Sequence, residues 1–560
     1  MHPNTLYFGD NRDVLREHFP DESVDLVYLD PPFNSQRDYN MVYRDIAGAS
    51  DTAQEQAFSD TWTMEGANED FEAVTASGTP EGKLIDTLHE AFGDTSLVAY
   101  LSVMALRLRM LHRVLKPTGS LYLHCDPNAS HYLKMVLDAI FGTAHFRSEI
   151  VWKRTFSHGG SRRYGPLHDT IFFLTKSDEY VWQDVRVAQD PSYLERHFRH
   201  ADPDGRRFQP ISLTGAGVRR GESGQPWRGV NPTAVSRHWA LPRQVVQEIG
   251  AEGLPTPAAL DALDAAGKLY WPKKADGVPR LKQYADELGG VHLQDIWTDI
   301  APISAQATER LGYPTQKPLA LLERIINASS NEGELVLDPF CGCGTAVVAA
   351  QQLGRQWCGI DITPLAVTLI RGRLSDAYPE VFPTPGSVPV IGLPRDVAGA
   401  RLLAAEDKYA FQFWALTLVG AHPPGGVRRK GADRGVDGEI LWRDGLGKLR
   451  KAVVSVKGGH SVSVTMLKDL DATLRAEGAE IGLFVSLANP TSPMRLLAAQ
   501  AGDYAMAGTT ATFPRLQLLT IEELLAGQEP KLPLASRLSA TKSAQPVADD
   551  GGQGSLFDEA

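Results

Sequence analysis

An acidic, proline-containing motif, Asp30-Pro31-Pro32-Phe33, directly follows the apolar segment Val24–Leu29. We interpret this segment as a buried strand, and a loop at the carboxyl end of such a strand faces the ligand crevice of an open α/β sheet. An amine on an aromatic ring is a poor nucleophile because its lone pair is delocalised into the ring. Hydrogen bonds to the Asp30 carboxylate and to a carbonyl of the rigid proline pair would favour a tetrahedral nitrogen. Phe33 offers a face for stacking a planar ring. These four residues are the candidate catalytic group, and the alternative is a Pro-Pro turn closed by a core phenylalanine.

A second motif, Asp338-Pro339-Phe340-Cys341-Gly342-Cys343-Gly344-Thr345, follows the apolar segment Leu335–Leu337 and leads into a helical pattern. Two glycines after a buried strand allow a ligand to approach the backbone closely. The motif is not the dinucleotide fingerprint, because Val347 stands where the third glycine is expected. One strand later, Asp361 is placed to accept hydrogen bonds from both hydroxyls of a ribose. This arrangement predicts a site for a cofactor that contains a nucleoside.

The second motif resembles motif I of the S-adenosylmethionine-dependent DNA methyltransferases. Because the Asp30–Phe33 motif precedes it, the chain is similar to the beta group of DNA N6-adenine/N4-cytosine methyltransferases. The resemblance includes Leu123–Asp126 and His131–Lys134 after the catalytic motif, and Tyr313–Pro318 before motif I. It implies S-adenosyl-L-methionine as cofactor and double-stranded DNA as substrate. The residues that it assigns to cofactor binding are Asp10, Lys317, Asp338, Phe340, Gly342, Gly344, Thr345 and Asp361.

The residues present restrict which atom of a base the chain is expected to methylate. Methylation at cytosine C5 needs a cysteine nucleophile after a proline, and none of the four cysteines follows one. Within the resembling family, an aspartate at the first catalytic position favours adenine N6, whereas serine is usual for cytosine N4. We therefore expect a site-specific, adenine-specific methyltransferase of a restriction-modification or phage-defence system. The alternatives are cytosine N4 methylation, methylation of RNA or protein amines, and an inert DNA-binding or assembly subunit.

The order of the predicted elements indicates an α/β fold with a doubly wound, Rossmann-like sheet, because strands and helices alternate. This methyltransferase domain is expected over 1–374, with an irregular target-recognition insertion at 180–300. A linker rich in proline and glycine is expected at 375–400. A smaller α/β domain is expected at 401–530, followed by a disordered tail at 531–560.

The insertion is basic inside an acidic chain. The net charge is −12, yet seven arginines and only three acidic residues lie between Arg196 and Arg228. Global charge affects solubility, whereas phosphate contacts are local. We expect these arginines to contact DNA, and the alternative is a solvated charged loop.

The C-terminal domain contains Asp437 and Glu439, then the strand Ala452–Val456 and Lys457. This order is similar to the PD-(D/E)xK nuclease fold of Mrr-type restriction endonucleases, in which carboxylates bind Mg²⁺ and the lysine activates water. Ser455 departs from the pattern, because an acidic residue or glutamine is expected there. The resemblance implies either a bifunctional methyltransferase-endonuclease or a module derived from a nuclease that binds DNA or a partner without cutting.

Composition bounds the remaining expectations. No apolar run approaches the ~18 residues of a membrane span, and the N-terminus has no export signal, so we expect a cytoplasmic protein without membrane contact. The four cysteines do not form a zinc-binding pattern, and no metal is assigned with certainty. A homodimer or a complex with a restriction subunit is compatible with this reading.

Overall fold

The computed structural model describes residues 1–32, 38–42, 54–59, 62–156, 164–273, 277–304, 306–311, 313, 315–421 and 436–533, with backbone alone for 38–42 and 54–59. Phe33 of the catalytic motif and residues 534–560 of the expected tail lie outside the described residues. The chain divides into two units, one formed by 1–183 with 294–560 and the other by 184–293.

The first 183 residues hold the catalytic motif and the helices that flank it. The strands are β1 (Thr5–Phe8), β2 (Val24–Leu29), β3 (Asp38–Val42), β4 (Gln54–Ser59), β5 (Leu115–Cys125), β6 (Phe146–Lys153) and β7 (His168–Thr175). The helices are α1 (Asn11–His18), α2 (Met64–Ala76), α3 (Pro80–Phe92), α4 (Ser96–Val114) and α5 (Pro127–Phe141).

The unit at 184–293 has its own small core. Its strands are β8 (Arg186–Val187), β9 (His200–Ala201), β10 (Arg207–Ser212), β11 (Thr214–Ala216), β12 (Arg237–Trp239), β13 (Leu269–Tyr270), β14 (Arg280–Tyr284) and β15 (Val291–His292). Its helices are α6 (Pro191–His197), α7 (Arg243–Glu248) and α8 (Thr256–Ala265). Trp227, Trp239 and Leu260 lie in a buried cluster inside it. The expected insertion at 180–300 is therefore a structured unit with slightly narrower bounds, although its short strands leave little periodicity in the sequence.

The chain then returns to the first unit and completes its large sheet. The strands are β16 (Ile296–Trp297), β17 (Leu335–Asp338), β18 (Gln356–Asp361) and β19 (Val390–Ile391). The helices are α9 (Leu319–Ser329), α10 (Thr345–Gln352) and α11 (Pro364–Ala377). Among the described residues this sheet has nine strands in the order β16-β6-β7-β5-β2-β17-β18-β1-β19. Strand β7 is antiparallel to both neighbours, and the other pairs are parallel.

The segment 375–400 is not the linker that its prolines and glycines suggested. Strand β19 extends the sheet by pairing in parallel with β1, and Phe382, Val388 and Val390 are buried in the core of the large sheet. Proline is tolerated beside an edge strand because one side of that strand needs no hydrogen-bond donor. This correction places the end of the methyltransferase fold beyond Ile391.

The C-terminal elements form a smaller α/β sheet of the PD-(D/E)xK-like type. The helices are α12 (Val397–Glu406), α13 (Lys408–Val419), α14 (Val464–Ala476), α15 (Ser492–Gln500) and α16 (Ile521–Leu525). The strands are β20 (Gly438–Arg443), β21 (Leu449–Lys457), β22 (Ile481–Ser486), β23 (Asp503–Ala505), β24 (Thr512–Pro514) and β25 (Leu516–Thr520). The sheet order is β20-β21-β22-β25, in which only the first pair is antiparallel.

The two sheets of the first unit are joined by packing. Helix α13 of the C-terminal domain lies against α11 of the methyltransferase fold. Leu393 and Leu403 pack at once against the core of the large sheet and against that of the smaller one. None of the described helices is both long and apolar enough to cross a membrane.

Candidate active site

Four carboxylates line up at one edge of the large sheet. The neighbouring parallel strands β2, β17, β18 and β1 end at or within two residues of Asp30, Asp338, Asp361 and Asp10, respectively. Since the carboxyl ends of parallel strands meet at one edge, residues far apart in the sequence are brought together there. The sheet order therefore unites the catalytic motif with the glycine-rich motif.

A cavity of about 540 Å³ opens at this edge. Most of the predicted site residues line it, namely Asp10, Asp30, Pro31, Pro32, Lys317, Asp338, Phe340, Gly342, Thr345 and Asp361. Gly344 is not among the lining residues. A Cβ at Gly344 would lie 2.5 Å from Cγ1 of Ile370, so this glycine allows helix α11 to approach rather than a ligand.

The carboxylate of Asp30, the predicted catalytic acid, has two oxygens in different surroundings. Its Oδ2 accepts a hydrogen bond from the ammonium of Lys317. Its Oδ1 is buried and has no hydrogen-bond partner in the part of the chain that the structure describes. A buried acceptor without a donor is costly, so Oδ1 is suited to a donor that arrives with the substrate.

The glycine-rich loop is held by Asp338 at its start and by Asp361 at the end of the neighbouring strand β18. The Asp338 carboxylate accepts the backbone N–H of Phe340 at 3.1 Å, and the Asp361 carboxylate accepts that of Gly342 at 2.9 Å. Gly342 has a φ of +47°, and a Cβ there would lie 3.3 Å from the ring of Tyr313. Its φ and the nearby ring both restrict this position to glycine.

Burial dominates the electrostatics of these acids. Burial raises the pKa of Asp338 well above its usual range, and the nearby charges of Asp30 and Asp361 act in the same direction. Burial also raises the pKa of Asp361, although hydrogen bonds from Thr363 and Gly342 oppose the rise. A positively charged ligand would stabilise the ionised acids, because opposite charge favours the charged form.

The fourth acid, Asp10, belongs to a network that the sequence did not reveal. Arg107 of α4 donates to the Asp10 carboxylate at 2.7 Å and to Asp70 of α2 at 3.1 Å. Arg107 also donates to the Asn11 side chain at 2.7 Å, and Asp70 and Arg107 both line the cavity. The available signal was an arginine within an otherwise apolar helical face, since α4 is largely buried.

The predicted residues of the C-terminal domain lie where β20 begins and the antiparallel strand β21 ends. The Asp437 carboxylate accepts from the Gln412 side chain at 2.7 Å, from the backbone N–H of Val456 at 2.6 Å and from the Ser455 hydroxyl at 3.3 Å. The ammonium of Lys457 lies 3.7 Å from the same carboxylate. Glu439 is opposite Val453 in the register of the two strands, two residues before Ser455.

A family model described as "DNA methylase" matches residues 24–371, which is more than half of the chain. The chain belongs to this family. A second model, described as "Restriction endonuclease", matches residues 409–526 of the methylase. The expected resemblance is thereby confirmed: this is an N6/N4-type DNA methylase with a C-terminal domain of the Mrr type.

Individual relatives are restriction-modification proteins. The type II methyltransferase M.EcaI of Enterobacter cloacae is 29% identical over 375 residues, which cover 67% of the methylase and 70% of M.EcaI. The StyLTI Mod subunit of a type III restriction-modification enzyme, from Salmonella typhimurium, is 28% identical over 63% of the methylase and 50% of the subunit. Among solved structures, the M1.HpyAVI–SAM complex is 14% identical with a TM-score of 0.30, and covers 66% of the methylase and 98% of that chain. The cytosine-N4-specific PvuII methyltransferase is 11% identical with a TM-score of 0.33, over 69% and 96%.

The residues of the methylase fit S-adenosyl-L-methionine. The sulfonium and amino groups of this cofactor are cationic, and three buried or half-buried acids, Asp30, Asp338 and Asp361, line one cavity. Ribose hydroxyls need acceptors, and Asp361 provides a carboxylate at the cavity wall. The chemistry of the donor and acceptor set therefore agrees with the cofactor that the family uses.

A buried chain of polar side chains adjoins the catalytic motif and was also missed. The Tyr28 hydroxyl lies 3.0 Å from Nδ1 of His124, and Nε2 of His124 lies 3.1 Å from the Asp169 carboxylate. Burial opposes ionisation of Asp169, but the hydrogen bond and charge of His124 outweigh it and lower the pKa of Asp169. The Asp169 carboxylate lies on the Nε2 side of the ring and the Tyr28 hydroxyl on the Nδ1 side, so the imidazole of His124 bridges the two side chains. These polar contacts hold the C-terminal end of strand β2 in place, next to Asp30.

The described contacts of the C-terminal site favour hydrogen bonds within the protein over a divalent cation. Mg²⁺ takes oxygen ligands in octahedral geometry, whereas both oxygens of Asp437 accept hydrogen bonds from the protein. Ser455 offers a hydroxyl where a second carboxylate would be required, and its residue is 3% exposed. In the described ranges no three histidine, cysteine or acidic side chains are grouped to hold a metal ion.

Proposed function

We propose that this DNA methylase transfers the methyl group of S-adenosyl-L-methionine to N6 of adenine in double-stranded DNA, as part of a restriction-modification system. The observation that carries the proposal is the buried Oδ1 of Asp30, which has no hydrogen-bond partner among the described residues, on a residue that lines the same cavity as the predicted cofactor acids. The aspartate at position 30 supports adenine N6 over cytosine N4 as the target, because an aspartate at the first catalytic position favours adenine in the resembling family. Its relatives M.EcaI and the StyLTI Mod subunit support the restriction-modification setting.

The chain's own residues supply orientation rather than covalent chemistry. The cofactor, when bound, supplies an electrophilic methyl group. Asp30 Oδ1 accepts one N–H of the target amine, and a carbonyl of the Pro31–Pro32 segment accepts the other. These two hydrogen bonds pull the nitrogen toward tetrahedral geometry and aim its lone pair at the methyl group.

The test is nucleoside analysis of long duplex DNA after incubation with radiolabelled cofactor. Wild-type protein should label N6-methyladenine, and Asp30→Ala should lose labelling by at least ~100-fold, as when one preorganised group is removed. Its cofactor dissociation constant should stay within a few fold. Asp138→Ala is the matched control, because this acid forms a partly exposed pair with Lys134 on α5. Label in N4-methylcytosine would replace adenine by cytosine, and wild-type rates in Asp30→Ala would reject the catalytic assignment.

We also propose that the unit at 184–293 contacts DNA phosphates through only some of its arginines. Arg206 pairs with Asp286 and Glu287, and Arg228 pairs with Asp261 and Asp264. Arg219 and Arg220 are exposed and form no salt bridge within the described residues. An arginine already paired with two acids brings little net charge to a phosphate.

Salt dependence distinguishes the two sets. Arg219→Ala with Arg220→Ala should flatten the slope of log affinity against log salt by about two. The control pair, Arg206→Ala with Arg228→Ala, should change the slope by less, and circular dichroism should show that both proteins remain folded. Equal changes in the two pairs would contradict the division.

For the C-terminal domain we propose DNA or partner binding without metal-dependent cleavage. The hydrogen bonds that the Asp437 carboxylate already accepts within the protein support this, whereas the 3.7 Å approach of Lys457 keeps a Mg²⁺-dependent nuclease as the second candidate. Cleavage assays with Mg²⁺ or Mn²⁺ on methylated and unmethylated DNA should show no cutting. Metal-dependent cutting that Lys457→Ala abolishes would establish the nuclease instead.

A C-terminal domain that binds another protein needs a partner, which is either a second copy of this chain or a separate subunit. The name of the StyLTI relative describes it as a Mod subunit, so we propose either a separate restriction subunit or a second copy of the chain. Light scattering on the full chain measures self-association directly. A monomer that also retains no partner from its own operon would leave DNA as the ligand of the domain.

A further inference from the structure

Lys317 is a nearly buried cation whose described partner is the catalytic acid. Its side chain is 8% exposed and that of Asp30 is 16% exposed. Burying an ammonium is expensive unless it is paired and hydrogen-bonded. The Asp30 carboxylate accepts from the Lys317 ammonium, and the carbonyl of Thr315 lies 3.4 Å from it. The position of this cation is therefore tied to Asp30 more closely than its place in a cofactor-covering motif implied.

The loop that carries Lys317 is fixed by its own hydrogen bonds. The Gln316 side chain accepts from the backbone N–H of Leu311 at 2.8 Å and donates to the carbonyl of Glu309 at 2.6 Å. Thr315 has a φ of +60°, a conformation that a threonine adopts only when its surroundings hold it there. The backbone therefore presents Lys317 from a rigid support.

The ion pair with Lys317 gives the two oxygens of Asp30 different roles. The ammonium occupies Oδ2, so rotation of the carboxylate is restricted and the buried Oδ1 is held in one direction. The same cation offsets the repulsion between Asp30 and Asp338, which lie close enough to influence each other. Removing it would leave a buried carboxylate without its counter-charge.

We propose that Lys317 is a positioning residue for methyl transfer, which orients the Asp30 carboxylate and supplies its counter-charge so that Oδ1 can accept the target amine. This inference rests on the proposed function of Asp30. It assigns Lys317 to the chemical step, and not to the affinity for the cofactor.

The test separates the rate of the chemical step from cofactor affinity in the full chain. Lys317→Met should lower the single-turnover rate by about 100-fold, the scale for a misplaced catalytic group. Its dissociation constant for S-adenosyl-L-methionine should stay within threefold of wild type. Lys317→Arg, which keeps the charge and a donor, should recover at least part of the lost rate.

Lys116→Met is the matched control. Lys116 donates to Asp25 at 2.8 Å, so the same kind of pair lies at the opposite end of the same strand, away from the cavity. This variant should keep the wild-type single-turnover rate. If Lys116→Met and Lys317→Met lose activity in parallel with their melting temperatures, the loss reflects folding and the inference fails.

A double-mutant cycle shows whether Lys317 acts through Asp30. In the Asp30→Ala background, Lys317→Met should cause no further loss of rate. Because the double variant lacks both charges, it carries no isolated buried ion from this pair. Independent, multiplicative losses would overturn the inference, as would a wild-type rate in Lys317→Met or a tenfold weaker cofactor with an unchanged rate at saturation. A wild-type rate in Asp30→Ala alone would instead reject the proposed function itself.

Discussion

Removing the Asp361 carboxylate should weaken cofactor binding far more than it slows methyl transfer at saturation. The carboxylate accepts three hydrogen bonds from the chain: the backbone N–H of Gly342 at 2.9 Å, the backbone N–H of Thr363 at 2.8 Å and the Thr363 hydroxyl at 2.7 Å. Asp361 also lines the cavity. Asp361→Ala therefore removes both the proposed ribose acceptor and an anchor of the glycine-rich loop.

The magnitude follows from the kind of hydrogen bond. Each bond to a charged group contributes about 1.5–3 kcal/mol. Loss of one to two such bonds to the cofactor amounts to about 3 kcal/mol, or about 100-fold in the dissociation constant. Loss of the Gly342 contact should also lower the melting temperature by a few degrees. Thr363→Val keeps the carboxylate and removes one donor to it, so its effect on affinity should be below ~10-fold.

Isothermal titration with S-adenosyl-L-methionine and with its demethylated product provides the measurement. Both compounds carry the ribose, so both should lose affinity for Asp361→Ala equally. Because the pKa of Asp361 is raised, wild-type affinity should also decline on acidification at a higher pH than for an ordinary carboxyl group. A dissociation constant within threefold of wild type for Asp361→Ala would refute the ribose assignment.

Three further predictions concern the support of the site. Gly344→Ala should cost about 2–4 kcal/mol in unfolding free energy, measured by urea titration, because φ is +76° and the new Cβ would overlap Ile370; an unchanged midpoint would contradict the tight packing. Burial and then nearby cations lower the pKa of His112 to about 4, so the unfolded chain binds a proton first on acidification, and stability should fall between about pH 6.5 and pH 4. His112→Phe should show a smaller fall in melting temperature between pH 7 and pH 5 than wild type, and an equal fall would exclude this source. Arg107→Met should weaken the cofactor by about tenfold, since Asp10 loses a charged hydrogen bond that holds it at the cavity; calorimetry that shows unchanged affinity would remove Arg107 from the cofactor site.

The acids at the sheet edge were predictable because each is local to a buried strand. Val24–Leu29 and Leu335–Asp338 are buried along their whole length, and a run of apolar residues followed by Asp is visible without knowledge of the fold. The glycine-rich turn was visible for the same reason. The sequence could not show what Gly344 makes room for, because only the packed structure places the side chain of Ile370 against it.

Contacts across the fold could not be predicted in the same way. Arg107 reaches Asp10 across 97 residues, and Lys317 reaches Asp30 across 287. Such pairs depend on how helices and loops settle on the sheet, which composition and periodicity do not encode. The segment 375–400 shows the opposite error, since the prolines that suggested a linker are compatible with the edge strand β19.

The contacts of Leu393 and Leu403 affect whether the methylase domain could be produced without the C-terminal domain. Each contacts the cores of both sheets, so a gene fragment that ends before the C-terminal domain would encode a methylase with apolar side chains newly exposed to water. Such surfaces promote aggregation and degradation. We expect a frameshift after Leu393 to lower the amount of methylase in the cell, and so a lineage cannot easily discard the appended domain and keep the modification.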